Sequence, residues 1–519
     1  MAKFISPEPV VKLVKAFSTP FRNAVATAKT CYSGKGIITD EQINETVEPL
    51  SRDMEIAKSI YEAGHHTTFQ HAHFQFRLEN VSRQFVWSFL HSHPFYNSEQ
   101  VSQRYVEVKN KNYIVPPLEG KAREIYQQTI TGQMDAYKKL IDLLIPITAD
   151  EYYKIFPARK QFPSKYAKDI KHKAQEIARY VLPVATFTYL YHTISGITLL
   201  RYHRLANQFD VPIEQKLVVQ KMVDELLQFD PLYKLILEES LPIEETLEYQ
   251  FFSKRQDVKS SKGFIKEFDT KLEDKISKLI DYKVNNEKTL ADSVREVLGL
   301  PVNEINDSEA IDLVLNPKKN RLFGESLVLS THSKLMRTLF HPSYTFRKKL
   351  SHTADSQDQR HRMTPASRPI LNLHMTDSPD YITPELIRCE VQVQHLYDEV
   401  MKKTWEGINK LKSLNVRDEF ILYLLPNAFP IRFTESSDLL NLHHKYVMRL
   451  CYNSQEEIWR VSLEEAKQIK EINPNIGKHL LPPCAIRSMA NSTPICPEGE
   501  RFCGVKVWKL DTEEYNRTL

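Results

Sequence analysis

Cysteine is sparse, with six in 519 residues at positions 31, 389, 451, 484, 496 and 503. That is too few for a disulfide scaffold, which leaves reduced thiols or a metal site. Long apolar runs are missing too. The most apolar stretch, 180–200, is interrupted by Pro183, His192 and several threonines, which excludes a membrane span, and the opening MAKFISPEPVVKLV has no apolar core of a signal peptide. A soluble, cytoplasmic protein is the expectation. Excess charge of one sign is lacking: 70 Lys and Arg face 66 Asp and Glu, a formal charge of +4. No nucleic-acid or membrane partner follows from it, and any basic site is local. No low-complexity tract occurs, and with AVILMFWYC at 41% and aromatics at 10% the chain has apolar material for ordered cores throughout.

A chain of 519 residues exceeds what one core usually supports. An internal repeat supplies the division. The apolar run 10–14 and the amphipathic spacing of 21–31 match 276–280 and 289–298, each a strand followed by a helix. Arg179-Tyr-Val-Leu-Pro183 likewise matches Leu422-Tyr-Leu-Leu-Pro426, each followed by a helical segment, at Ser195 and at Asp438. A third pairing sets Ser102-Gln-Arg104-Tyr105 against Asp358-Gln-Arg360-His361, with Tyr113-Ile-Val-Pro116 and Tyr381-Ile-Thr-Pro384 after them. The expected boundaries are domain 1 at 1–240, a linker at 241–273, domain 2 at 274–470 and a Cys-containing appendage at 471–519, with 253–263 the most flexible point. Helical patterns at 122–144 and 214–227 argue for an α+β fold, two domains in tandem, each an antiparallel sheet flanked by long helices.

The segment 64–105 carries the chemistry. It holds Gly64-His65-His66-Thr67-Thr68-Phe69-Gln70-His71, then Phe74-Gln75-Phe76, and closes on Ser102-Gln103-Arg104-Tyr105. This resembles the flavin-dependent thymidylate synthases, which carry Gly-His-x-Thr-x-Phe-x-His, a Phe-x-Phe strand, and Arg-His-Arg-x-x-Ser-x-Asn-x-x-Ser-x-Arg-Tyr. The resemblance implies FAD contacts from His65 and Thr67, with Gln70 where an acid is common. It implies substrate contacts from Ser102, Arg104, Tyr105 and Arg179. Paired guanidiniums suit a dianionic phosphate, since each donates two charge-assisted hydrogen bonds. Between these parts the motif departs from the family: Leu90-His91-Ser92 stands at Arg-His-Arg in one register and Ser92-His93-Pro94 in the other. The first keeps Tyr96-Asn97 on the family pattern, making His91 and Asn97 cofactor residues. Cys31 falls where the family has a small polar residue near the flavin, and a buried structural thiol is the competing reading.

In domain 2 the family's histidine position falls in Lys318-Lys319-Asn320-Arg321, and Arg360-His361-Arg362 reads as a chance match because Pro365 occupies the Ser position. Arg449, in Met448-Arg449-Leu450, is the arginine that domain 1 replaces with Ala206. The implied site is composite, with Arg449 and Ser102 in catalytic roles. The implied reaction is reductive methylation of dUMP to dTMP using methylenetetrahydrofolate and NADPH, with a homodimer forming a pseudo-tetramer. The alternative is a catalytically inactive nucleotide-binding or assembly protein. Independently, His479, Cys484, Cys496 and Cys503 in the appendage could ligate a structural zinc, with a redox pair or simple packing as the other readings.

Overall fold

The computed structural model describes residues 3–90, 93–208, 210–254, 261–517 and 519. His91 lies outside them, as does most of the 253–263 stretch expected to be flexible.

The first half runs β1 (Val10–Ala16), α1 (Pro20–Thr30), α2 (Arg52–Glu62), β2 (His73–Ser82), α3 (Arg83–Leu90) and β3 (Asn97–Gln100). It continues through α4 (Gly120–Ile155), α5 (Pro163–Ala178), β4 (Phe187–Ser195), α6 (Gly196–Arg204) and α7 (Pro212–Phe229). After α8 (Leu247–Ser253) and α9 (Lys262–Leu272), the second half opens with β5 (Ser277–Tyr282), α10 (Asn286–Leu298), α11 (Asp307–Leu315), β6 (Ser343–Ser351), α12 (His352–Asp358) and β7 (Ala366–Ser367). Then come α13 (Glu385–Arg388), α14 (Val391–Ser413), α15 (Asp418–Ile421), β8 (Pro430–Asp438), α16 (Leu439–Arg449), α17 (Glu456–Ile472), α18 (Pro474–Gly477) and α19 (Pro483–Met489). Helices therefore surround two antiparallel sheets, ordered β1-β2-β4-β3 and β5-β6-β8-β7. Among the described residues no helix is long and apolar enough to cross a membrane.

Local sequence explains the elements. Strand β2 alternates, burying Phe74, Phe76 and Leu78 while Arg77 faces outward, as a sheet with one packed face requires. Pro20 opens α1, where its missing N–H costs nothing. Asp438 caps α16 by accepting from the Asn441 N–H at 2.9 Å. Phe74 and Phe21 each meet Tyr233 edge-on, at 5.7 and 5.2 Å between centroids. Gly196 lets Tyr233 approach, because a Cβ there would lie 2.6 Å from its hydroxyl.

The chain packs as two compact units that exchange segments. The first comprises Met1–Ile130, Pro183–Lys259 and Glu406–Leu425; the second comprises Thr131–Leu182, Ser260–Trp405 and Pro426–Leu519. Each contains the same buried motif. In the first, Glu214 accepts from the Ser82 N–H (2.7 Å), the Ser82 hydroxyl (2.6 Å) and the Tyr423 hydroxyl (2.7 Å). In the second, Glu457 accepts from the Ser351 N–H (2.6 Å), the Ser351 hydroxyl (2.5 Å) and the Tyr180 hydroxyl (2.5 Å).

Two of the three sequence pairings coincide with this topology. Val10–Ala16 and Ser277–Tyr282 are equivalent strands leading to α1 and α10, and Ser195 and Asp438 are the caps of α6 and α16. The third is corrected in part. Its trailing segments agree, since Ile114 donates to Ala185 (3.0 Å) as Ile382 does to Ala428 (2.9 Å). Its leading segments do not, because Asp358 ends α12 whereas Ser102 follows β3. Counting from the paired Ser82 and Ser351 sets Asp358 on Phe89, whereas the sheets set Ala366 on Ser98, so helix and strand assign Arg360-His361-Arg362 registers that differ by one residue. The family's histidine position also moves. The turn Met336–Phe340 precedes β6 as Thr68–Gln70 precedes β2, so His65 corresponds to Leu335 rather than to a residue in 318–321.

Candidate functional site

In the first unit, α2 ends at Gly64, whose φ of 78° is the left-handed conformation glycine adopts freely. His66 then folds back: its Nε2 donates to the Tyr61 carbonyl at 3.0 Å and its ring stacks on Tyr61 at 5.2 Å. His65, Thr67 and Gln70 are left exposed. A cavity of about 580 Å³ lies at this side of the unit, walled by Asn23, Thr27, Thr30 and Cys31, by Asp40 and Glu41, and by His71. Cys31 is exposed, which overturns its reading as a buried structural thiol, and His71 is a lining residue to which the motif assigned no role.

The Ser-x-Arg-Tyr loop of the same unit is held from two sides. The Arg83 guanidinium donates to the Val101 carbonyl (2.6 Å) and to Gln100 Oε1 (3.1 Å), while the Gln103 amide donates to the Thr186 hydroxyl (3.0 Å). Within the loop the Ser102 hydroxyl accepts from the Arg104 N–H at 3.2 Å, and the Arg104 guanidinium lies 5.5 Å over the Tyr105 ring. Ser102 keeps its O–H as a donor, since the turn uses only its lone pair. Asn97 sits exposed on β3, paired with Thr193. Arg83 was missed by sequence reasoning; its place immediately after β2 was the available signal.

The second unit holds the other cationic group. Arg449 ends α16, and its guanidinium donates to His361 Nε2 and to the Gln357 carbonyl, both at 2.8 Å. Accepting there requires a neutral His361, and burial, helped by Arg449 and Lys445, holds its pKa well below the ordinary value. Arg360 and Arg362 flank it, so the Arg-His-Arg run and Arg449 are brought together. Arg179 belongs to this unit as well. It is buried, its Nε donates to the Glu176 carbonyl (3.2 Å), and its own carbonyl accepts from the Asn427 amide (2.9 Å).

Behind Arg449 lies a buried ionic lattice. Lys348 contacts Asp358 (3.3 Å), Glu435 (3.0 Å) and Glu465 (2.8 Å), and Lys445 contacts Asp358 (2.6 Å) and Glu435 (2.5 Å). Carboxylates outnumber ammoniums, and burial together with Asp358 pushes Glu435 up to about 7. The topology places Leu78, Phe89, His192, Tyr202 and Met222 at the corresponding first-half positions. There the aromatic members pack instead, Phe89 lying 4.9 Å from His192 and 4.4 Å from Tyr202. Burial drops His192 to about 3, so it is a neutral member of that core.

The zinc expectation is withdrawn. Among the described residues no group of three or more His, Cys, Asp and Glu could hold a metal ion. His479 Nε2 lies instead 3.0 Å from Asp312. Burial pushes the Cys484 thiol up to about 12 and raises that of Cys503, opposing the thiolate that zinc requires. Cys484 and Cys503 pack against Tyr452, Trp459, Val507 and Tyr515, so the appendage shares an apolar cluster with α17 and the turn before it.

The two halves thus repeat one arrangement, a four-stranded antiparallel sheet flanked by helices. The model of the family described as thymidylate synthase complementing protein matches residues 12–232 and 278–475. The chain belongs to that family, and the two matches fit a tandem arrangement. The flavin-dependent thymidylate synthase of Clostridium tetani is 28% identical over 203 residues, 37% of this chain and 72% of that protein. That of Thermosipho africanus is 28% identical over 185 residues, 35% of this chain and 70% of the other. A crystal structure of the UMP/dUMP methylase PolB from Streptomyces cacaoi, bound with 5-Br dUMP, covers 45% of this chain and 98% of its own at 18% identity. Its TM-score of 0.29 is too low for that likeness to carry an argument.

Proposed function

We propose that the protein is a flavin-dependent methylase of a deoxyuridine nucleotide, converting dUMP to dTMP with FAD, NADPH and methylenetetrahydrofolate. The observation that carries the proposal is that both halves match the thymidylate synthase complementing family while keeping different parts of its chemistry. The first half keeps His65, Thr67, Ser102, Arg104, Tyr105 and Arg179; the second keeps Arg449.

The cavity beside α1 tests the fit of the cofactor. Its hydroxyls, thiol, amide and imidazole, from Thr27, Thr30, Cys31, Asn23 and His71, suit the hydrogen-bonding edges of a flavin or adenine ring. Its charged walls are Asp40 and Glu41, which repel a diphosphate. The ring portions of FAD fit these residues, and its diphosphate would lie outside this cavity, away from Asp40 and Glu41. When bound, the flavin supplies the hydride. The protein's own contribution is electrostatic and positional. The Arg83 clamp holds Ser102 and Arg104 in one turn, and a guanidinium such as Arg104 or Arg179 offers the paired donors a nucleotide monophosphate takes. A cation at the pyrimidine would stabilise charge as C5 becomes nucleophilic.

The second reading, an inactive nucleotide-binding descendant, is favoured by one observation: Arg449 is engaged by His361 and Gln357 rather than projecting freely. Methylation assays with dUMP, folate donor and NADPH, run beside a nucleotide-binding titration, separate the two. Binding without product formation supports the second reading.

A further inference from the structure

A second cavity, of about 490 Å³, lies in the second unit where α11 and the end of α17 meet the appendage. Gly477 brings its polar side together. A Cβ there would lie 2.2 Å from the Lys470 Cα, so only glycine lets α18 pack this close to α17 and set Lys478 and His479 beside Lys470. Trp508, Leu510, Leu481 and Met489 supply the apolar side. The family match stops at residue 475, so most of this lining lies beyond it. The size suits a small molecule, and an apolar wall with a few convergent polar groups is how such molecules are held.

The charges of the lining are settled within the protein. Lys478 lies 3.1 Å from Asp312, Lys470 donates to the Thr512 hydroxyl and to Glu513, both at 3.2 Å, and Asp511 caps the turn Thr512–Glu514. Two lysines and two aspartates line the cavity, so no net charge remains for an ion. What is left over is neutral. His479 and Tyr515, 4% and 6% exposed, each carry a buried polar atom with no partner, Nδ1 in one and the hydroxyl in the other. Although burial opposes it, His479 and Lys478 hold the Asp312 carboxyl down to about 2, so it is ionised and the His479 Nε2, 3.0 Å away, carries the hydrogen. Burial lowers the pKa of the imidazole despite Asp312 and keeps it neutral, which makes Nδ1 an acceptor. The Tyr515 hydroxyl keeps its O–H as a donor. One acceptor and one donor in the same cavity complement an N–H beside a C=O, the lactam edge of a uracil, thymine or hypoxanthine ring, whose flat faces suit Trp508. We infer that this cavity binds an uncharged nucleoside through the lactam edge of its base, by residues other than those proposed for the nucleotide substrate.

Isothermal titration of the full chain with thymidine and with inosine tests the inference. Saturable binding of one nucleoside per chain is expected for at least one of them, which also tells a pyrimidine site from a purine site. Tyr515→Phe should weaken that binding at least tenfold, because a site built to pair a polar group loses discrimination steeply when the pair is broken. Its melting temperature should not fall, since the hydroxyl has no partner to lose. On the wild-type protein, N3-methylthymidine and 1-methylinosine, which lack the N–H, should bind at least tenfold more weakly than their parents. Arg104→Ala should leave nucleoside binding unchanged, which separates this cavity from the substrate loop whatever becomes of the methylase reading. Uptake of neither nucleoside overturns the inference. Methylated nucleosides that bind as tightly as their parents, or binding that survives Tyr515→Phe or is lost in Arg104→Ala, overturn it equally.

Discussion

The Tyr180 hydroxyl donates a 2.5 Å hydrogen bond to the Glu457 carboxylate, and the two residues lie 277 positions apart in sequence. Its counterpart, Tyr423 to Glu214, spans 209 positions at 2.7 Å. Each tyrosine follows the helices of one sequence half and serves a carboxylate of the other, so segment exchange is written into a pair of hydrogen bonds. Tyr180→Phe and Tyr423→Phe each leave a buried carboxylate one donor short. A loss of about 1–3 kcal/mol is expected for either, read as a lower melting temperature in the unit affected.

Glu214 also sets a pH dependence. Burial raises its pKa from 4.5 to about 7, so the folded protein holds a proton that the unfolded chain gives up. Its stabilising contribution is complete below about pH 4.5 and is lost as pH rises through 7. Glu435, raised to about 7 by burial and Asp358, acts in the same direction. Unfolding in urea at pH 5 and pH 8 should show Glu214→Gln with a smaller pH difference than wild type; an unchanged difference contradicts the assignment.

The ionic lattice makes a two-part prediction. Lys348→Met removes one cation from a buried group whose partners cannot reach water, and a loss of about 3–5 kcal/mol is expected. Replacing the whole set by its first-half counterparts, Lys348→Leu, Asp358→Phe, Glu435→His, Lys445→Tyr and Glu465→Met, removes the charges together. That variant should lose less stability than Lys348→Met does, because no unpaired charge is left behind. Thermal melting of both, side by side, decides it.

Thiol chemistry checks the correction at the appendage. Cys31 and Cys389 are exposed and should react with a disulfide reagent within minutes. Cys484 and Cys503, with thiols raised by burial, should react slowly. Metal analysis should find no stoichiometric zinc, and a chelator should leave the melting temperature unchanged.

Much of the fold was legible because local rules and tertiary packing agree. The apolar runs near Val10 and Ile276 became edge strands, and Ser195 and Asp438 became the caps of matching helices. The histidine-rich segment was readable as a motif because Gly64 must end a helix and Phe74 and Phe76 must alternate inward. The failures have one cause, which is that sequence distance hides spatial equivalence. Arg360-His361-Arg362 shows the same limit, since α12 and β7 place it in registers one residue apart. Arg83 looked like one cation among many, and only the fold puts its guanidinium on the Val101 carbonyl. The lattice was invisible because Lys348 and Glu435 read as ordinary alternating strand residues until their shared face proves to be the buried one. His479 lies near Cys484 in sequence, yet α11 supplies Asp312 as its partner.

Site variants address the proposed function directly. Arg83→Ala should free the 100–106 loop and weaken nucleotide binding about tenfold or more, with little change in melting temperature, measured by titration with dUMP. Arg449→Ala should disturb His361 and reduce turnover without abolishing folding.

The visible absorption spectrum of the purified protein, with released cofactor identified and the spectrum repeated after adding dUMP, tests the central claim most directly. Stoichiometric FAD whose bands shift on adding dUMP is the predicted result. A colourless protein that takes up no added FAD would contradict the flavoenzyme reading and leave a duplicated thymidylate synthase-like scaffold without its chemistry.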